Sequence, residues 1–555
     1  MLEPSRPILA RLEIPLILLV AAAAMMLARP YGNFPINDDA HYAIASWDFA
    51  RTGHFHLTLE TVPSLRAQVV WGALFTRLFG ESFEVLRAST MTLAALTLLL
   101  INRLLAFLPI PRSLRIIATL AFLFHPIFFL SACTFMTEVP FVFASVAAMY
   151  FNFRGIRQEC IAFIALGGAA AAVSWWVRQT GVINVLPPLL ALIVFRNRIS
   201  ERWRRLIVAA AAPLVLFAAI FLTRPEWLMG SQQEFRLHYK MWSESTFRLP
   251  QQVSLIFHYC FFNMQNNALF LLPLTIAVDW RLFRSAAARV VAVVSALVFL
   301  AGMTQLIVLG HPMPYFTLDR CCDVGTGNAF VNFGIGPLTL IDRDAYPFAM
   351  PYSARLILSY GVAALAAAMV AGIFIRSIDA VREPKSSALP ILGTIHAVIG
   401  TFALCASEQY YDRYALDATW SLVLVIPLIV RWDVRAARVL SIAMLLIIAA
   451  FSIFATGEYF AWNRARWEAW SYFRARGGQT KDLDAGAEPF TYYELARITD
   501  YRERRRVFSG PQKRPYMIAF NRTPGFRVIR TFPFSGWAGL HRADLYLLEK
   551  IDRAP

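Results

Sequence analysis

Apolar stretches of the length a bilayer demands recur along this chain and cease near residue 455. We read about thirteen as membrane-spanning helices. They are Ile8–Ala28, Val85–Phe107, Leu114–Leu130, Val139–Phe153, Ile161–Val177, Val182–Phe195, Leu206–Leu222, Phe261–Val278, Val290–Leu309, Leu356–Ile375, Leu389–Leu404, Leu416–Val430 and Val439–Ala455. Several are shorter than the roughly 20 residues a crossing needs, so their ends must extend into the flanking segments. Past residue 456 the pattern changes. Residues 457–476 have the spacing of an amphipathic helix, while PYMIAF, FRVIRTFPF and ADLYLLEK read as strands between turn residues. The expected fold is an all-α polytopic membrane part, residues 1–456, followed by a small α+β domain, residues 457–555.

Composition supports this division. Hydrophobic residues make up 58% of the 555 positions and charged residues 16%, against about 25% charged in a soluble protein. The formal net charge of +17 would suit a nucleic-acid partner, but the positive residues sit mainly between the apolar runs, so no such partner is expected. Alternate connections carry the arginines: Arg103, Arg112 and Arg115; Arg154 and Arg157; Arg281, Arg284 and Arg289; Arg431, Arg435 and Arg438. The short connections between them are poor in positive charge. By the positive-inside rule the N-terminus is cytoplasmic, and an odd number of spans puts the C-terminal hundred residues outside. The first span is read as retained and not as a cleaved signal. Arginine outnumbers lysine 48 to 5, a codon bias suggesting a GC-rich bacterial genome and hence a bacterial inner membrane.

Three outer segments are long. Residues 29–84 hold NDDAHYAIASWDFARTG and a second stretch, Leu65 to Phe79, with spaced apolar positions. Both read as short helices lying on the membrane surface. The other two segments cover about residues 223–255 and about residues 310–352. The six cysteines are too few for a disulfide framework. Cys133, Cys321, Cys322 and Cys405 fall at or near the outer face, where pairing is allowed, but free thiols are the simpler expectation.

Ionisable groups inside a membrane protein are costly and therefore informative. Here the acidic candidates gather at the outer ends of spans: Asp38 and Asp39 after the first, Glu138 at the start of the fourth. Arg178 and Arg413 lie at the same level. Together they describe a water-accessible site at the outer boundary of the membrane. A carboxylate there can accept a proton from an attacking hydroxyl or amine, and a guanidinium can pair two oxygens of a leaving phosphate. Each has a plainer reading. The aspartates can be merely solvated, Glu138 can serve the helix start, and the arginines can be interfacial anchors. His41, His54 and His56 lack a metal-ligand spacing.

These residues in this order resemble the GT-C membrane glycosyltransferases, nearest to the branch of lipid A aminoarabinose transferases and protein mannosyltransferases. NDDAHYAIASWDFARTG resembles that family's acidic pair after the first span, with Asp38 first and Asp39 second. Glu138 in MTEVPFVFASVAAMYF stands at its third acidic position, and Arg413–Tyr414 in YDRYALDATWSLVLVIP resembles its Arg-Tyr motif opening a late span. Arg178 and Gly181 in WWVRQTGV match a cation followed by glycine. Two positions depart from the pattern: Asp39 replaces the usual Glu, and Glu138 the usual Asp. The resemblance implies an inverting transfer of a sugar, a hexose or pentose, from a polyprenyl-phosphate donor to an envelope lipid, glycan or protein. Asp38 would be the general base, Asp39 and Glu138 would orient the acceptor or bind a metal, and Arg178, Arg413 and Tyr414 would hold the donor phosphate. Some members of the family use a divalent cation and others do not. The competing readings are a transporter or flippase of a lipid-linked glycan, which would put polar groups near the midplane, and a non-catalytic scaffold.

Overall fold

The computed structural model describes residues 7–57, 61, 64–194, 203–223, 249–308, 310, 312–313, 330–331, 334–336, 340, 351–382, 388–405, 411–494, 514–536 and 539–551. The second and third long outer segments fall mostly outside these residues. So do Cys321, Cys322 and the side chain of Cys405. Cys133 is a buried free thiol.

Each of the thirteen apolar segments is helical at least in part. The first four helices are α1 (Pro7–Ala28), α2 (Asp39–Thr52), α3 (Ala67–Phe79) and α4 (Phe83–Leu105). Next come α5 (Arg112–Leu123), α6 (Pro126–Ala132), α7 (Glu138–Gln158), α8 (Ile161–Trp175), α9 (Leu186–Val194) and α10 (Trp203–Thr223). Then follow α11 (Leu249–Phe270), α12 (Leu272–Thr275), α13 (Ala286–Val308), α14 (Tyr352–Arg382), α15 (Ala388–Cys405) and α16 (Leu416–Val425). The last two are α17 (Arg435–Ala475) and α18 (Ala487–Tyr493). Among the described residues six helices are long and apolar enough to cross a membrane, or seven if α5 and α6, bent by 64°, count as one span. The bend has a local cause. Pro126 opens α6 without an N–H to continue the ladder. The chain is a multi-pass helical membrane protein.

A two-stranded antiparallel ribbon, β1 (Phe330–Val331) and β2 (Gly334–Ile335), precedes a four-stranded sheet made of β3 (Leu483–Asp484), β4 (Tyr516–Ala519), β5 (Phe526–Gly536) and β6 (His541–Lys550). The sheet order is β3-β4-β6-β5, with β3 parallel to β4 and the other pairs antiparallel. Strands β4, β5 and β6 coincide with the three segments read from alternation, while β3 and the β1–β2 ribbon match none of them. One finding differs in form from the expectation: the amphipathic stretch 457–476 is not a separate helix. It is the C-terminal end of α17, 41 residues long, which passes through residue 457 without a break. Its aromatic face meets the sheet, with Trp462 against Phe520, Tyr472 against Phe532 and Phe473 against Tyr516.

Residues 29–84 form two short helices, α2 and α3, where two were expected, and are tied down at several points. The backbone N–H groups of Arg66 and Ala67 donate to the carbonyl of Trp176 at 2.8 and 2.9 Å, and Gln68 donates to the Phe135 carbonyl at 2.8 Å. Arg87, buried on α4, donates to the carbonyls of Gly32 and Phe34. Ser82 caps α4 by accepting from the Val85 N–H at 3.1 Å. Gly53, in the left-handed region, closes α2.

Asp39 belongs to this anchoring. It is wholly buried, and its Oδ1 accepts the backbone N–H of Phe135 at 3.2 Å. Burial raises its pKa from the ordinary carboxylate range to about 7, although the charge of Arg87 and the Phe135 N–H act in the opposite direction. The native state therefore holds a proton that the unfolded chain releases near pH 4. For a raised folded-state pKa the stabilising contribution is complete below the unfolded value and is lost as pH rises through about 7. The melting temperature of the purified protein should thus decline between about pH 4 and about pH 7. Asp39→Asn, which still offers an oxygen to Phe135, should flatten that decline. Thermal melts with the same slope for both proteins would refute this account.

Candidate functional site

Four separate stretches of chain deliver charge to one place. Asp38 stands immediately before α2, and Glu138 is the first residue of α7. Arg178 follows the end of α8 in an extended conformation, and Arg413 lies in a 3-10 turn, Asp412–Ala415, that leads into α16. Their side chains meet. Arg413 donates from Nη2 to Asp38 Oδ2 at 3.0 Å, and its Nε lies 3.2 Å from Glu138 Oε1. Arg178 donates from Nη1 to the same Glu138 Oε1 at 3.4 Å. Glu138 is thus clamped between two guanidiniums.

Exposure separates the roles these groups can take. The Glu138 side chain is 1% exposed, Arg413 9% and Asp38 41%. Asp38 is the carboxylate that an incoming molecule can reach. Glu138 has one oxygen shared by the two arginines, while its Oε2 is buried without a hydrogen-bond partner. Aromatic faces complete the cluster. The Arg178 guanidinium lies 4.2 Å from the centroid of Tyr414, and Arg413 stacks over Tyr411 and Tyr414 at 5.1 and 5.7 Å. Such stacking holds a guanidinium plane without consuming its donors.

The sequence accounts for this placement locally. Gly181 sits where the chain doubles back on α8, and a Cβ there would lie 2.3 Å from the backbone nitrogen of Trp175. Only glycine permits that approach, and it brings Arg178 toward Glu138. Asn37, with φ of 55°, makes the left-handed step that sets Asp38 at the mouth of α2.

Of the six residues singled out from sequence, Asp38, Glu138, Arg178, Arg413 and Tyr414 come together. Asp39 does not join them and points into the anchoring contacts already described. His54 and His56 are exposed, whereas His41 is buried. Among the described residues no three His, Cys, Asp or Glu side chains group closely enough to hold a metal ion. Asp38 and Glu138 are joined through Arg413 instead.

Other residues of the cluster were not singled out. Tyr42, one turn into α2, lies within electrostatic reach of Asp38, Arg413 and Glu138; burial, then the Asp38 charge, pushes its phenol well above the usual range. Its signal was the tyrosine four places after Asp38 in NDDAHYAIASWDFARTG. Asp417, 2% exposed in the first turn of α16, sits four residues after Arg413 and within electrostatic reach of Arg178. Behind it His396 bridges Asn184 at 3.0 Å and Ser421 at 3.2 Å, while Asn184 donates to Ser145 and Ser174, each at 2.9 Å. These are single polar residues within apolar runs, and no sequence spacing pairs them.

An apolar cavity of about 470 Å³ lies among α11, α13, α14, α15 and α16, with Phe261, Met264, Phe299, Phe374 and Val398 in its wall. Phe374, Val398 and Phe402 are also about half exposed on the outer surface of the bundle, so the cavity opens toward lipid. Helix α15 joins it to the charged cluster: Ala397, Val398 and Thr401 line the cavity, while a Cβ at Gly400 would lie 3.5 Å from Asp417 Oδ2.

No family model matches the chain, and no curated protein matches its sequence. Solved structures similar to it include ArnT from Cupriavidus metallidurans in the apo state. That match is 13% identical, has a TM-score of 0.40 and covers 98% of each chain. The oligosaccharyltransferase of Archaeoglobus fulgidus is 12% identical with a TM-score of 0.44, over 82% of this chain and 58% of that one. The protein O-mannosyltransferase Pmt1–Pmt2 complex of S. cerevisiae, bound to its sugar donor, is 15% identical with a TM-score of 0.31; the match covers 40% of this chain and 34% of that one. All three are GT-C glycosyltransferases.

Proposed function

We propose that this chain is an inverting glycosyltransferase. It takes a sugar from a polyprenyl-phosphate donor and passes it to a lipid, glycan or protein of the bacterial envelope, at the outer face of the inner membrane. The observation that carries the reading is the junction of Asp38, Glu138, Arg413 and Arg178, a half-exposed carboxylate held against a buried guanidinium, with a second guanidinium alongside. Asp38 accepts the proton as the acceptor's hydroxyl or amine attacks the anomeric carbon. The bond from that carbon to the phosphate oxygen breaks, and its electron pair leaves with the lipid phosphate. Arg178 and Arg413 supply planar donors where that charge develops, with Tyr414 stacked against both. Glu138 holds the two cations side by side on one carboxylate oxygen. The cavity beside α15 offers the donor's hydrocarbon chain an apolar route out of the bundle.

A transporter would place its polar groups along a path between two faces. The polar network behind Asp417 leads instead into packed side chains, Trp420 among them. The transferase reading is therefore preferred.

Envelope glycans compared by mass spectrometry, between cells carrying the wild-type protein and cells carrying Asp38→Asn, test the assignment. One sugar should fall by about 100-fold or more in the variant, the scale of a lost general base. An unchanged set of glycans would end the proposal.

Arg413→Lys keeps the charge beside Glu138 but loses the planar fork. Transfer of that sugar should fall by about 100-fold, with a melting temperature near that of the wild type. Removing the cation altogether, as in Arg413→Ala, leaves Glu138 buried with one partner fewer and should destabilise the protein by about 3 kcal/mol. Full transfer by Arg413→Lys would exclude a bidentate phosphate contact.

A further inference from the structure

A side chain of the C-terminal part reaches the residue beside Asp38. Glu488 lies in the first turn of α18 and is 1% exposed; Arg466, in the C-terminal half of α17, is 0% exposed. Arg466 donates from Nη1 to Glu488 Oε2 at 2.8 Å. The other oxygen, Oε1, accepts the backbone N–H of Asn37 at 3.3 Å. Asn37 is the left-handed residue directly before Asp38. A second contact fixes α18 over the same region: Tyr492 meets Phe83 edge-on at 5.5 Å and Trp47 at 6.5 Å.

An ion pair this deeply buried is a poor source of stability, because desolvation offsets most of the attraction. What it does supply is a fixed oxygen at a fixed place. A left-handed backbone step at a residue other than glycine costs free energy and needs a partner to hold it. Glu488 provides that partner, and Arg466 keeps Glu488 from swinging away.

We propose that Glu488 is a positioning residue for Asp38. By anchoring the Asn37 backbone it sets the direction in which the Asp38 carboxylate meets the acceptor, so the C-terminal part completes a site whose charged groups all lie in the membrane part. This rests on the transferase reading. It places no duty on Glu488 toward the donor phosphate, which Arg178 and Arg413 hold.

The test uses the full-length protein and two readouts. One is the envelope sugar that Asp38→Asn removes. The other is the rise in melting temperature given by undecaprenyl phosphate, as a probe of the phosphate subsite, on protein in lipid nanodiscs. Glu488→Ala should lower the sugar by about tenfold or more, as expected for a misplaced reacting group, while the undecaprenyl phosphate shift stays at the wild-type value. Glu488→Gln, which keeps an acceptor oxygen for Asn37, should recover much of the loss. Glu488→Asp keeps the charge beside Arg466 but draws the carboxylate back from the Asn37 N–H by one methylene; it too should lower the sugar with the shift unchanged, and it serves if Glu488→Ala does not fold. Wild-type sugar levels in Glu488→Ala or Glu488→Asp would overturn the proposal. So would a parallel loss of the undecaprenyl phosphate shift, which marks general damage. An Asp38→Asn strain with an unchanged envelope would instead strike the transferase reading itself.

Discussion

Glu138 is an acidic side chain almost sealed from water at the edge of a membrane bundle, and the site is arranged around that fact. Burying a lone carboxylate there costs several kcal/mol, so cations must be brought to it. Arg178 and Arg413 do this from two different stretches of chain. Once both guanidiniums are drawn in, Arg413 has a donor left for Asp38, and the exposed carboxylate acquires a fixed neighbour. Electrostatic necessity at one buried residue thereby draws α2, α7, the end of α8 and the start of α16 together.

Much of this was legible in the sequence because charge is rare in an apolar chain. Asp38, Glu138, Arg178 and Arg413 stood out as polar residues at the ends of hydrophobic runs, and all four meet. The strands near the C-terminus were legible too, since alternation with turn residues has few other meanings. Asp39 shows the limit. Adjacent aspartates look alike in a sequence, yet the helix that begins between them turns one toward the cluster and the other against Phe135. A residue's direction is set by the first turn of α2, which depends on a left-handed asparagine that no periodicity reveals. Asp417, Asn184 and His396 escaped notice for another reason. Each is a single polar group in an apolar run, and its meaning comes only from partners distant in the chain.

The number of crossings was harder to read. Apolar runs mark where the chain prefers lipid, but α5 and α6 share one run around a proline bend, and α9 and α16 are short helices extended by 3-10 turns. Hydrophobicity is a property of composition, whereas the path of a helix depends on where its hydrogen-bond ladder breaks. The boundary at residue 457 illustrates the same point. Composition shifts there sharply while the α17 backbone continues unbroken.

That continuity has a mechanical consequence. A straight helix of 41 residues is about 60 Å long, roughly twice the hydrocarbon thickness of a bilayer. Its upper half works as a mast stepped in the lipid, with Arg466 partway up and the sheet lashed to its side. A change of about 5° in tilt, pivoting about 30 Å below the top, sweeps the top by about 3 Å, comparable to the length of a hydrogen bond. Bilayer thickness, which governs how far such a rod leans, is thereby felt well above the lipid surface.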